Sequence, residues 1–219
     1  MKGTGSGTGT VYDWWSGHQR LFRALSWLVF GGREGELRSL ARDRLLAGPG
    51  DRVLDVGCGP GRSFKPLALE VGPDGRVVGV DHSAGMVRRA GKRARTLTVD
   101  CATVRSDGVR LPFRDDSFDR AYSTLALSAM ADVDGTVAEV RRVLRPGGRF
   151  VVFDTRPFQS RPGKTLNPVL NRVSAWATEW HPDADVVGAL ERTFDTVDTE
   201  VFLGETTFVS VAERATREP

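Results

Sequence analysis

The chain has 219 residues, 40% of them hydrophobic, which suits one α/β domain with a substantial core and is short for two. Its formal net charge is +3, from 31 Lys and Arg against 28 Asp and Glu, a mild excess carried almost wholly by arginine. No apolar run reaches the ~18 residues of a membrane-crossing helix.

The start, Met1 to Thr10, is rich in Gly, Ser and Thr and lacks the apolar stretch of a secretory signal; it reads as a flexible tail. Residues 11–30 differ sharply, because Tyr12, Trp14, Trp15, Phe22, Trp27 and Phe30 crowd them and Leu21, Leu25, Leu28 and Val29 recur at helical spacing. Gly31-Gly32 supplies a stop. An amphipathic helix follows, and three readings of it stand: a helix packed on the core, a lid, or an interfacial element touching lipid. A second helix, Glu34 to Leu46, leads through Gly48-Pro49-Gly50 into a short strand, Arg52 to Val56.

That strand breaks into Gly57-Cys-Gly59-Pro-Gly61, a turn that opens a helix near Ser63. Glycines lack a Cβ, so a ligand can lie against the backbone there. A dinucleotide fingerprint needs G-x-G-x-x-G, and here Arg62 stands where the third glycine should be, so that pattern fails. A phosphate loop is absent from the sequence. Asp55, at the strand's exit, would repel a pyrophosphate and help hold a ligand carrying an ammonium group.

Phe64 to Val71 is expected to be helical despite Pro66, and Gly72-Pro73-Asp74-Gly75 is a turn. Arg76 to Val80 reads as a second buried strand ending in Asp81. That acid lies about 20 residues past the glycine turn, where a strand-tip carboxylate can accept hydrogen bonds from both hydroxyls of a ribose. Ser83 to Arg93 is a helix, Cys101 to Arg105 a third strand, and Asp107-Gly108 a turn before Leu111-Pro112-Phe113. Arg120 to Thr124 is a fourth strand with Ser123, Thr124 and Ser128 at its exit, and Val133 to Leu144 is a helix. Arg145-Pro-Gly-Gly148 reads as a turn into a fifth strand, Arg149 to Asp154. Asp183 to Phe194 is a helix, and Val197–Leu203 pairs with Thr206–Val211 around Gly204-Glu205. Seven strands with interleaved helices result, the last one antiparallel.

Asp55-x-Gly57-x-Gly59-x-Gly61, the acid at Asp81, the Leu111–Asp119 block and Leu144-Arg-Pro-Gly-Gly-Arg-Phe150 resemble the class I methyltransferases that use S-adenosylmethionine, in particular their quinone- and phospholipid-methylating branch. The resemblance implies a Rossmann-like three-layer sandwich whose sheet has the order 3-2-1-4-5-7-6. It implies a single domain over residues 11–219, with residues 11–48 as a helical lid and 155–182 as an insertion on the substrate side. The cofactor residues it implies are Tyr12, Asp55, Gly57, Cys58, Gly59, Gly61, Asp81, His82, Met86, Asp107, Gly108 and Ser123. Tyr12 resembles the family's lid residue, the glycine turn meets the methionine and ribose, Met86 nears the adenine, and Asp107 with the next backbone N–H takes the purine edge.

Methyl transfer is an in-line displacement, so alignment and exclusion of water suffice and no enzyme nucleophile is needed. The chain has no Ser-His-Asp or Cys-His constellation at recognisable spacing. His18 and His181 are candidates for a base; each also reads as a surface histidine, and no catalytic residue is assigned. His82 belongs with the cofactor wall. Two cysteines, Cys58 and Cys101, lack metal spacing and suit a reducing, cytoplasmic setting. The insertion with Phe158, Leu166, Leu170, Trp176 and Trp180 suits a bulky apolar acceptor such as a phospholipid, quinol or phenol. A peripheral membrane contact through residues 14–30 fits such an acceptor, nucleic acid does not, and the oligomeric state stays open. The alternatives are a cofactor-binding interaction module without catalysis and a nucleotide-dependent oxidoreductase, which the missing third glycine disfavours. An RNA methyltransferase is disfavoured too, since Ser123-Thr-Leu-Ala126 stands where an Asn/Asp-Pro-Pro-Tyr tetrad belongs. Arg20, Arg23, Arg33, Arg38, Arg42, Arg44 and Arg52 load the first quarter with positive charge, which reads as a solvated helix face or a stripe for an anionic partner.

Overall fold

The structure, a computed structural model, describes residues 30–161, 163–168, 172 and 180–216. The tail over residues 1–10 and the aromatic helix expected before Phe30 lie outside the described residues. Phe30 itself is buried, its ring centroid 5.9 Å from that of Phe153.

The elements run α1 (Glu34–Leu45), β1 (Arg52–Val56), α2 (Phe64–Val71), β2 (Arg76–Asp81), α3 (Ala84–Ala94), β3 (Asp100–Arg105), β4 (Phe118–Thr124), α4 (Val133–Val143), β5 (Leu144–Thr155), α5 (Val186–Thr193), β6 (Thr196–Phe202) and β7 (Thr207–Glu213). They form one seven-stranded sheet of order β3-β2-β1-β4-β5-β7-β6. Only β7 runs against its neighbours, pairing antiparallel with both β5 and β6. Strand order and the antiparallel partner are as the sequence resemblance implied.

Period-two alternation sorts the strand side chains onto two faces. Val53, Val77, Tyr122, Val151 and Phe153 pack with Leu37, Leu45, Phe64, Leu67 and Ala90 of α1, α2 and α3. Leu54, Val56, Val78, Val80, Phe150 and Val152 pack with Val137, Val140 and Leu190 of α4 and α5. A sheet covered on both faces needs near-continuous apolar strands, which is how β1, β2 and β5 read. The edge strand β6 instead alternates, with Asp198 and Glu200 in register positions opposite Val211 and Val209. Charge at an edge discourages pairing with another chain.

Local chemistry sets the helix ends. Ser83, Asp132 and Asp185 accept hydrogen bonds from the backbone N–H groups of Met86, Gly135 and Gly188, capping α3, α4 and α5. The cap at Asp185 is why the last helix starts at Val186 rather than at Asp183. Pro66 is tolerated because it stands in the first turn of α2, where an N–H has no intrahelical partner. One expectation is corrected. Residues 145–148 do not form a free turn; β5 starts at Leu144 directly after α4, and Phe118 pairs with Leu144 while Arg120 pairs with Arg149. The surplus residues bulge, with Gly147 at φ +78° and its N–H held by the Arg214 carbonyl at 2.9 Å.

Because β1 has β2 on one side and β4 on the other, the order in which strands are added switches sides at β1, and a crevice opens beyond the carboxyl ends of β1 and β4. Phe64 braces its wall: a Cβ on Gly79 would stand 2.5 Å from its ring, and one on Gly61 3.2 Å from it. Phe64→Ala is therefore expected to destabilise the domain by about 3–5 kcal/mol. Urea titration of both proteins measures it, and a change below ~1 kcal/mol would contradict this packing.

Candidate functional site

The crevice is lined by three strand-tip carboxylates on β1, β2 and β5, each in a different state. Asp55 on β1 is 1% exposed, and its Oδ2 has no hydrogen-bond partner. Burial pushes its carboxyl up to about 7; Arg38 and a hydrogen bond from Ser63 oppose that shift, and Asp81 adds to it. Asp81 on β2 accepts one backbone N–H at each oxygen: the Gly59 N–H donates to Oδ2 and the Ser83 N–H to Oδ1, each at 2.9 Å. Burial raises its pKa, against the pull of those donors. Asp154 on β5 is buried and raised for the same reason, but it accepts from the Ser128 N–H (3.0 Å), the Ser128 hydroxyl (2.6 Å) and the Thr155 N–H (2.8 Å).

The glycine turn between β1 and α2 has Gly57, Gly59 and Gly61 at φ +66°, +53° and +74°. Their reasons for being glycine differ. A Cβ on Gly57 would come within 2.4 Å of the Ala126 Cβ, where the turn meets the loop after β4. One on Gly61 would press on Ala90 of α3. One on Gly59 meets no described atom within 4 Å, so that stretch of backbone faces open space. Cys58 between them is buried and free, its N–H bonded to the Val80 carbonyl at 3.0 Å. Burial raises its thiol well above the usual value, which makes it wall rather than nucleophile.

The other residues singled out from the sequence fall around this turn. Met86 is buried in the first turn of α3, and His82 is exposed on the β2–α3 link, its carbonyl accepting from Arg105 Nε at 2.9 Å. Asp107 is exposed and closes a local turn by accepting from the Val109 N–H. It is brought beside Asp81 because the Ser106 N–H donates to the Asp81 carbonyl at 3.1 Å. Gly108 fits against Thr136, which a Cβ would approach to 2.8 Å. Ser123 is fully buried and donates its hydroxyl to the Val56 carbonyl at 2.9 Å, so it ties β4 to β1 and presents no free hydroxyl proton to the crevice. His181 is exposed, yet its backbone N–H bonds to the Ser128 carbonyl at 2.8 Å, which docks it on the loop after β4. Tyr12, His18, Leu170 and Trp176 lie outside the described residues.

Sequence reading missed the group that α1 contributes. Arg38 hydrogen-bonds Thr124 Oγ1 at the tip of β4 and pairs with Glu34 at 2.8 Å, and Glu34 also meets Arg62 at 3.5 Å. The buried Tyr122 hydroxyl donates to the Arg38 carbonyl at 3.2 Å. An arginine on a helix far away in sequence leaves no local signal. Asp154 could have been found, since it repeats at β5 the strand-tip acid seen at β1 and β2.

Comparison with known proteins gives a consistent picture. Residues 54–152 match the profile of the family described as "Methyltransferase domain". The chain is 40% identical over 113 residues to the demethylmenaquinone methyltransferase of Symbiobacterium thermophilum, covering 50% of this chain and 45% of the relative. It is 44% identical over 152 residues to the demethylmenaquinone methyltransferase of Beutenbergia cavernae, covering 67% and 60%. The matched part thus spans about half the length of these relatives. In fold it is similar to a SAM-dependent methyltransferase from Aquifex aeolicus, with a TM-score of 0.62 at 20% identity over 81% of this chain and 88% of that one.

Two predictions follow from the geometry. Gly57→Ala should destabilise the domain by about 2–4 kcal/mol, from overpacking plus a strained φ, whereas Gly59→Ala should cost only about 1–2 kcal/mol; equal costs in urea unfolding would refute the distinction. Asp55 holds its proton more tightly folded than unfolded, so its contribution is present below about pH 4 and is lost as pH rises through about 7. Relative to wild type, Asp55→Asn should gain on the order of 4 kcal/mol across that window. Parallel stability–pH curves would show that Asp55 does not titrate there.

Proposed function

Because residues 54–152 carry a methyltransferase domain, we infer that this chain binds S-adenosylmethionine at the glycine turn and moves its methyl group to a quinone-like or other lipid-like acceptor. The observation that carries the reading is the open backbone at Gly59, flanked by the carboxylates of Asp55 and Asp81. Such a cradle suits a ligand with a ribose and a cationic end. Asp55 keeps one oxygen unengaged, and an ammonium group nearby would favour its charged form. Each oxygen of Asp81 accepts one backbone N–H, leaving lone pairs for ribose hydroxyls. Met86 would line the adenine and Asp107 would accept from its amino group.

When bound, the cofactor supplies an electrophilic methyl carbon on a sulfonium. The chain's own task is to hold and aim, and to keep water out. Asp154 and Ser128 fix the loop after β4 against the tip of β5, and Arg38 fixes Thr124 from the helical face. That rigidity suits alignment to a fraction of an ångström better than proton transfer, and no general base is assigned. The quinone acceptors in the relatives' names support an apolar acceptor here. The reading extends to a cytoplasmic enzyme touching the membrane through residues 14–30; the free thiols of Cys58 and Cys101 fit a reducing compartment.

Calorimetric titration with S-adenosylmethionine and S-adenosylhomocysteine tests the cofactor site. The native chain should bind both, and Asp81→Ala should weaken binding by roughly 10–100-fold, the worth of a charge-assisted hydrogen-bond set. Binding should also tighten as pH rises through about 7, where Asp55 becomes charged. A native chain that binds neither ligand would overturn the reading. Binding with no methyl transfer to reduced naphthoquinones, phospholipids or phenols would favour the non-catalytic module.

A further inference from the structure

The positive charge of the described chain is not where the sequence pattern first draws the eye. On α1 the arginines are neutralised: Arg33 pairs with Glu36 at 2.9 Å, Arg38 with Glu34 at 2.8 Å, Arg42 with Glu70 at 2.6 Å and Arg44 with Glu200 at 3.0 Å. The α3 segment differs. Residues 82–99 contain Arg88, Arg89, Lys92, Arg93 and Arg95 and no carboxylate. None of these five forms an ion pair among the described residues, and all but Arg89 are exposed. The nearest acids in sequence are engaged elsewhere, Asp81 with backbone N–H groups and Asp100 with Arg76 at 3.3 Å.

This bare charge borders a groove with an exposed leucine beside it. The first turn of α2 and the end of α3 flank a groove lined by Arg62, Lys65, Pro66, Arg93, Thr96 and Leu97. Leu69 lies one helical turn beyond Lys65 on α2 and is 75% exposed, the most exposed large hydrophobic residue of the described structure. Cations beside an exposed leucine match an anionic bilayer: the charges meet lipid phosphates and the leucine enters the acyl boundary. A nucleic acid would ask for stacking rings or a contoured donor array, and residues 82–99 contain no Phe, Trp or Tyr. The groove begins one residue after Gly61 and runs to the end of α3.

We propose that the outer face of α2 and α3, with Lys92, Arg93 and Arg95 as its charge and Leu69 as its apolar contact, docks this protein on anionic phospholipid membranes. The surface is distinct from residues 14–30, and the proposal rests on the charge map rather than on the cofactor reading. The test is cosedimentation of the full chain with phosphatidylcholine vesicles, with and without phosphatidylglycerol, at low and high salt and with no cofactor present. Wild type should bind the anionic vesicles more tightly than the neutral ones, and high salt should remove that difference. The triple variant Lys92→Gln, Arg93→Gln, Arg95→Gln should lose about fivefold per cation, on the order of a hundredfold in partitioning. Leu69→Ser should weaken binding with all charges in place, which a purely electrostatic contact would not. Circular dichroism and an unchanged urea-unfolding midpoint exclude misfolding of the variants. Wild type that ignores anionic vesicles, or a triple variant that binds them as well as wild type, overturns the proposal. So does displacement of the protein from vesicles by a duplex oligonucleotide at equal phosphate, which would assign the face to nucleic acid.

Discussion

Two hydrogen bonds to Asp81, from the N–H of Gly59 and from that of Ser83, join three parts of the molecule at one carboxylate: the tip of β2, the turn leaving β1 and the first turn of α3. Parallel strands end with carbonyls and side chains facing outward, and the turns that follow carry N–H groups needing partners. A partly buried acid at a strand tip answers both turns at once. Its cost is desolvation, visible in the raised pKa of Asp81, and its return is a glycine turn held rigidly with its backbone facing open space.

The same device recurs at Asp154, where the result is different. There the carboxylate is saturated by Ser128 and Thr155, which pins the loop after β4. That loop is also the one that Gly57 must accommodate, since only a missing side chain lets the β1 turn approach Ala126. The crevice between β1 and β4 is thus narrowed by backbone and fixed from both sides. Asp55 between them is left with one oxygen that no described residue hydrogen-bonds, an exception to the rule that buried polar atoms are paired.

Charge outside the crevice divides in a comparable way. Where arginines stand near acids they are spent on structure: Arg142 joins Glu139, Asp115 and the carbonyls of Leu111 and Phe113, and Arg214 joins Asp116 to the carbonyls at the end of α4. These pairs stitch loops to helices with well-placed donors, a use for which the planar guanidinium is suited. On α3 no acid is offered, and the positive field extends into solvent. A net charge of +3 conceals this separation between neutralised and bare faces.

What the sequence determined by itself is mostly local. Glycine spacing after a strand, an acid about 20 residues on, capping residues and the apolar runs of β1, β2 and β5 each depend on neighbours in the chain, so the glycine turn and the Asp81 strand tip were legible from Asp55-x-Gly57-x-Gly59-x-Gly61 onward, while the strand order came from the resemblance those residues carry. Tertiary structure decided what depends on contacts between distant segments. It turned Ser123 toward Val56 and made the Arg145–Gly148 stretch a bulge of β5, with Gly147 and Gly148 exchanging backbone hydrogen bonds with Arg214 just past β7. It brought Arg38 to Thr124 across 86 positions, and it showed which arginines find acids and which do not. Pattern along a chain reports the period of an element, whereas the state of a charge depends on what folding sets beside it, and that is fixed only when the layers meet.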